Sequence, residues 1–135
     1  MNQIIRCSAS VLVAVSLIIS GCSDSTKQPY VYTPTFHLPV VDSTLKATSI
    51  TQTSAISGGA VSSDGGTALT ETGICWDTLI KPTINGNKAA SGTTPGTFYV
   101  NISGLLPNHL YYVKAYAINK IGVTYGDRIS FTTLP

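Results

Sequence analysis

The side chains that could carry out catalysis are few in this sequence, and they lie far apart. Neither His37 nor His109 has the neighbours from which a nucleophilic triad could be proposed. The acids do not show the spacing of a calcium-binding loop, and the glycine pairs lack the Gly-Lys-Ser/Thr ending of a phosphate loop. We therefore expect no catalytic residues, no metal and no cofactor, and a small hydrolase is the less favoured hypothesis.

A second group of residues suggests binding rather than catalysis. If Tyr111 faces the core of a strand, then Tyr112, Lys114 and Tyr116 share the opposite face. Exposed rings around a cation are suited to contact a glycan or an envelope protein. The alternative is that these are ordinary strand residues, because tyrosine is favoured in strands. Two further tyrosines extend this face if their strands lie nearby: Tyr99 and Tyr125.

One cysteine stands where covalent modification is expected. A positive start and an uncharged apolar run over residues 11–19 precede Ile19-Ser20-Gly21-Cys22. The run is short for a helix that crosses a bilayer, which takes about 20 apolar residues. A charged start, a short apolar core and small residues at the exit are typical of a secretory signal.

The exit resembles the bacterial lipobox, an aliphatic residue and two small residues before a cysteine. The resemblance implies cleavage before Cys22, a diacylglycerol on its thiol and acylation of the new amino terminus. Several acyl chains hold a protein stably on a membrane. Ser23 carries no strong inner-membrane retention signal, so we expect the outer membrane of a Gram-negative bacterium. The alternatives are an ordinary signal peptide and an uncleaved short anchor.

Composition argues against a disulfide-bonded domain and gives no support for a nucleic-acid-binding protein. If Cys7 is removed with the signal and Cys22 is acylated, Cys75 is the one cysteine that remains. We therefore expect no intramolecular disulfide, and we assign Cys75 to the core as a small buried side chain. Charged residues make up 10% of the chain and the net charge is +2. Such a weak charge gives no electrostatic argument for nucleic acid as a partner.

The chain beyond the signal divides into a tether and one domain. Residues 22–39 contain three prolines and no helical period, which favours an extended tether. Short strand-like runs with turn residues between them follow, and no amphipathic helix is apparent. The candidate strands cover residues 40–42 with 45–50, 54–61, 70–77, 97–103, 111–119 and 125–133, and residues 81–88 suggest a short edge strand and a turn. About seven short strands in roughly 100 residues predict an all-β, immunoglobulin-like antiparallel β-sandwich.

Leu105, Pro107 and Tyr111 fit the pattern Leu-x-Pro-x-x-x-Tyr, and this part of the chain resembles a fibronectin type III module. The resemblance covers residues 45–133, and it implies that the Tyr111 hydroxyl bonds back to the preceding turn. Trp76 departs from the animal pattern because it lies on the third strand. We expect it to be a core residue that fills the space left by Gly58-Gly59. No Arg-Gly-Asp is present, so integrin binding is not implied.

These observations predict a lipoprotein with a signal peptide (1–21), a tether (22–39) and a fibronectin type III-like domain (40–135). The function that we expect is a lipid-anchored binding or adhesion module of the cell envelope, without catalytic activity. The alternative is a structural spacer or an accessory subunit of an envelope complex.

Overall fold

The computed structural model describes residues 30–135. Residues 1–29 lie outside it, and with them the predicted signal peptide, the acylation site Cys22 and the first part of the tether. The domain is the compact unit Thr33–Pro135. Within the described residues, no helix has the length and apolar character needed to cross a bilayer.

The domain consists of strands in two antiparallel sheets. The strands are β1 Val40–Thr48, β2 Ser54–Ser63, β3 Leu69–Asp77, β4 Asn87–Gly92, β5 Gly96–Ser103, β6 Leu110–Asn119, β7 Gly122–Tyr125 and β8 Ile129–Thr132. Sheet A has the order β1-β2-β5, and sheet B has the order β4-β3-β6-β7 with β8 also paired to β6. The predicted all-β antiparallel sandwich is therefore confirmed.

The last predicted strand, 125–133, is wrong because it is two strands separated by a break. Gly126 lies in the break, and a Cβ there would come within 3.0 Å of Val41 Cγ1. The neighbouring strand β6 is bonded differently at this point: Gly126 N donates to Ala115 O at 2.9 Å, while Ala115 N donates to Thr44 Oγ1 at 2.9 Å. A side chain of β1 thus takes the place of a ladder partner.

Of the short edge strand and the turn predicted within 81–88, the turn is present but the strand is misplaced, since β4 covers Asn87–Gly92. Pro82 has no N–H for a ladder, and its side chain is fully buried, so the chain before β4 is a packed loop. A turn in which Gly86 N donates to Thr83 O at 3.1 Å ends this loop. The strand begins only after that turn.

The core lies between the inner faces of the two sheets. On β6, Tyr111, Val113 and Ala115 alternate inward, as the sequence predicts. Trp76 on β3 is 9% exposed and pairs with Val113. The atoms nearest to a Cβ built at Gly58 or Gly59 belong to Phe98, Tyr99 and Ala115, so these residues, and not Trp76, occupy the space at the glycine pair. The core cluster also includes Ala55, Ile74, Val100, Ile102, Leu105 and Phe131.

The turn before β6 has the hydrogen bond that the fibronectin type III resemblance implies. Leu106 N donates to the Tyr111 hydroxyl oxygen at 2.9 Å. Leu105 is buried beside it, and Pro107 is exposed in the turn. Thr133 fastens the end of the chain to the same turn, because its hydroxyl donates to Leu106 O at 2.6 Å.

Candidate binding face

The outer face of sheet B collects the lysine, arginine and tyrosine side chains that the sequence singled out. Cross-strand register places Tyr116 opposite Tyr125, and Cys75 lies between Lys88 on β4 and Lys114 on β6. Arg128 follows in the break after β7. We call this surface the cation–aromatic face, and it consists of Lys88, Tyr112, Lys114, Tyr116, Tyr125 and Arg128.

Each of its three tyrosines has a cation over the ring. The Arg128 guanidinium is 5.5 Å from the Tyr112 ring centroid, and Lys114 Nζ is 5.5 Å from that of Tyr125. Lys88 Nζ is 5.7 Å from that of Tyr116. These distances fall within the range of cation–π attraction, so the cations are held close to the sheet.

Tyr116 is not an exposed binding residue, which corrects the prediction from strand alternation. It lies on the predicted outer face, but it is 0% exposed. Its hydroxyl donates to Glu71 Oε1 at 2.5 Å, and Lys88 Nζ donates to the same oxygen at 2.6 Å. The ring therefore lies beneath an ion pair and belongs to the packing of the sheet. Tyr112 and Lys114 are half-buried, and Arg128 is exposed.

The protonation states of this network follow from its hydrogen bonds. The bond from Lys88, followed by that from Tyr116, holds the pKa of the Glu71 carboxyl below its ordinary value, so it is ionised. Burial, together with the adjacent carboxylate of Glu71, raises the pKa of the Tyr116 phenol well above its ordinary value. The phenol thus remains a donor, and the pair presents little net charge to solvent.

The loop between β3 and β4 folds over the same face. Ile84 N donates to the Tyr125 hydroxyl oxygen at 3.2 Å, although β7 lies on the far side of β6 from the strands that the loop connects. Arg128 Nη1 donates to Ile80 O at 3.1 Å. Residues 78–86 therefore border the face, and the tip of the loop leaves Leu79 and Ile80 exposed.

The chemistry available at this face is recognition rather than nucleophilic attack. Burial raises the pKa of the Cys75 thiol to about 11, so it is protonated at neutral pH. Within residues 30–135, no three or more His, Cys, Asp or Glu side chains are grouped so that they could hold a metal ion.

The first part of the described chain, before β1, is bonded to two turns of the domain. Residues 35–38, which we call the strap, contact the β2–β3 and β6–β7 turns. His37 N donates to Gly65 O at 2.8 Å, and the buried Asn119 donates through Nδ2 to His37 O at 2.7 Å and to Asp64 O at 2.8 Å. Lys120 Nζ is 3.9 Å from the Phe36 ring centroid. Part of the predicted tether is thus bonded to the domain.

Sequence reasoning did not find several partners of the face, namely Glu71, Lys88 and Arg128. Glu71 and Lys88 reach Tyr116 from other strands, and Arg128 reaches Tyr112 from the break after β7, so all three contacts depend on long-range pairing. The only local signal was the alternation of Tyr112, Lys114 and Tyr116, which correctly places the three on one side of β6.

Comparison with known proteins gives a fold but no family. No known family model matches this chain, and no curated protein is significantly similar to it in sequence. Solved structures with the same fold do exist. The sensor domain of the anti-sigma factor RsgI4 of Pseudobacteroides cellulosolvens is 17% identical with a TM-score of 0.54, over 73% of this chain and 96% of that one.

Two other similar structures contain fibronectin type III or related domains. The sixth fibronectin type III domain of human fibronectin type III domain containing protein 3 is 21% identical with a TM-score of 0.51, over 76% of this chain and 90% of that one. A titin fragment is 17% identical with a TM-score of 0.53, over 74% of this chain, which spans only 34% of that fragment. The sandwich is fibronectin type III-like, and at these identities the similarity concerns the fold alone.

Proposed function

We propose that this chain is a non-catalytic binding module of the bacterial cell envelope, anchored by lipid on Cys22. The observation that carries the binding role is the cation–aromatic face. Half-buried Tyr112 and Lys114 lie on the paired strand β6, and exposed Arg128 lies over Tyr112 from the break after β7. A rigid surface with aromatic and cationic groups loses little conformational entropy when a partner binds.

The binding role is tested with the purified full-length protein and isolated cell envelopes. We expect Tyr112→Thr with Lys114→Thr to reduce crosslinked and co-sedimented protein severalfold. The matched control is Tyr99→Thr, which removes a ring that is 68% exposed on the outer face of sheet A. Tyr116 is unsuitable for this test because it is buried. Equal retention of wild type and both variants would favour the spacer function.

The anchor is supported by Ile19-Ser20-Gly21-Cys22 after an apolar run. Mass spectrometry of the intact protein from native membranes should show loss of residues 1–21 and added acyl mass. Cys22→Ala is the control, and it should remain unprocessed and unacylated. An unmodified thiol at Cys22 in wild-type protein would refute the anchor without affecting the binding test.

The proposed location is the outer membrane. Protease treatment of intact cells distinguishes display on the surface from residence in the periplasm, because only a displayed domain is cleaved before the cells are lysed. Complete co-fractionation with the inner membrane would contradict this location.

A further inference from the structure

We propose that the cation–aromatic face binds an acidic polysaccharide, with Lys114 and Arg128 contacting its carboxylate or sulfate groups. This inference rests on the proposed function and names the ligand class. The charge distribution is its starting point. Among the described residues, Lys81, Lys88, Lys114 and Arg128 lie on the face or on the loop that borders it, whereas Lys46 lies on β1 and Lys120 lies in the β6–β7 turn.

The acids of the face do not neutralise Lys114 and Arg128. Glu71 is paired with Lys88. Asp77 Oδ1 accepts hydrogen bonds from the backbone of Leu79 at 3.1 Å and from the Thr78 hydroxyl at 3.4 Å. Asp127 is exposed next to Arg128 in the chain, and no salt bridge between them is present in the described residues. The four cations Lys81, Lys88, Lys114 and Arg128 and the three acids Glu71, Asp77 and Asp127 leave the face and its bordering loop a formal charge of +1, and neither Lys114 nor Arg128 forms a salt bridge within the described residues.

Both cations retain donors for a ligand. Within the part of the chain that the structure describes, the Lys114 ammonium has no hydrogen-bond acceptor and no carboxylate partner. Arg128 uses Nη1 for Ile80 O, and a guanidinium carries further N–H groups. Hydrogen bonds from such groups to carboxylate or sulfate are charge-assisted and hence strong.

Each of the two cations lies over a tyrosine ring of the face. The Tyr112 ring holds Arg128, and the Tyr125 ring holds Lys114, so the positions of both side chains are restricted before binding. Less rotamer entropy is lost when such side chains contact a ligand.

The shape of the face favours a polymer of sugars over a protein partner. A stable protein interface buries about 1,200–2,000 Å² around an apolar centre. Here the centre of the face is the recessed ring of Tyr116 beneath the Glu71–Lys88 pair, and the exposed apolar side chains Leu79 and Ile80 lie on the loop at its border. An extended chain with repeated negative charges needs only a narrow row of cations.

The test measures binding of the purified full-length protein to defined polymers. Polygalacturonate and dextran sulfate are the probes for carboxylate and sulfate, and neutral dextran is the control. We expect binding to at least one charged polysaccharide, none to dextran, and weakening as salt rises from about 50 mM to about 300 mM. Lys114→Gln with Arg128→Gln should weaken binding by about tenfold or more, because charge-assisted bonds are lost.

The matched control removes the same charge elsewhere, with Lys46→Gln and Lys120→Gln. Equal weakening by the two double variants would show unspecific attraction and overturn the proposal. Tighter binding to polyglutamate or to phosphatidylglycerol vesicles would assign the face to an acidic protein or a membrane instead. If wild type binds no polyanion but Tyr112→Thr with Lys114→Thr still loses envelope attachment, only the polysaccharide is refuted and the proposed function stands.

Discussion

On the outer face of each sheet a tyrosine pairs with a glycine, but only one of these two tyrosines is exposed to solvent. On sheet A, Tyr99 of β5 pairs with Gly58 of β2. On sheet B, Tyr116 of β6 pairs with Gly73 of β3. Tyr99 is 68% exposed, whereas Tyr116 is 0% exposed. A tyrosine opposite a glycine is therefore not enough to determine whether the ring is available to a partner.

The difference comes from the position of each strand and from the neighbouring charges. Among the described strands, β5 is an edge strand that pairs with β2 alone, so Tyr99 has strand neighbours on one side. Strand β6 lies between β3 and the last strands, and the Glu71–Lys88 pair covers Tyr116. The tyrosines of the cation–aromatic face on sheet B therefore contact charged side chains, whereas Tyr99 on sheet A is an exposed surface residue.

The largest effect is expected for Tyr116→Ala. The change removes a fully buried ring, leaves a cavity and deprives Glu71 of a donor. Loss of a buried aromatic side chain costs about 3–5 kcal/mol of unfolding free energy. Tyr99→Ala should cost less than about 0.5 kcal/mol, as for a surface change. Urea denaturation measures both, and similar costs for the two variants would refute the comparison.

Gly73→Ala is expected to have the next largest effect. A Cβ at this position would collide with the Ala89 carbonyl oxygen and lie 2.7 Å from the Tyr116 hydroxyl. Overpacking of this kind costs about 2–3 kcal/mol. Gly92→Ala is the control on β4, because a Cβ there meets no atom within 4 Å. If the two variants were equally stable in thermal denaturation, the ring of Tyr116 could not be packed across Gly73.

Much of the fold could be predicted from local patterns. The inward alternation of Tyr111, Val113 and Ala115 and the turn at 105–111 identified the sandwich correctly. The break at Gly126 could not be predicted, because it depends on contact with Val41 and Thr44, more than eighty residues earlier in the chain. Local propensity contains no information about such contacts.

The candidate site was predicted less completely than the fold. Alternation placed Tyr112, Lys114 and Tyr116 on one face, which the register confirms. Burial of Tyr116 depends on Glu71 and Lys88, which reach it from other strands. A two-residue period gives the side of a strand on which a residue lies, but not the side chains that cover it.

Tyr116→Phe gives a finer test because it keeps the ring and removes only the hydroxyl. The lost bond is to a carboxylate, and hydrogen bonds to charged groups contribute about 1.5–3 kcal/mol. Since Glu71 keeps its bond to Lys88, we expect a cost of about 1–2 kcal/mol in urea denaturation. Tyr99→Phe is the matched variant on sheet A, where no change beyond error is expected. A neutral Tyr116→Phe would show that the phenol–carboxylate bond does not stabilise the fold.

The smallest effect concerns the pH dependence of stability. The folded-state pKa of Glu71 lies below its ordinary value, so its contribution is present above the unfolded pKa of about 4.3 and is lost as the pH falls through the folded pKa. Wild type should therefore exceed Glu71→Gln in stability at neutral pH by less than about 1 kcal/mol, because the pair is partly exposed. This difference should shrink below pH 4. Asp42→Asn, which removes an exposed acid on β1 of sheet A, is the paired variant on the other sheet. Denaturation midpoints measured from pH 7 to pH 3 distinguish the two faces. If the stability difference between wild type and Glu71→Gln grew on acidification, it would have the wrong sign for a carboxylate stabilised by Lys88 and Tyr116.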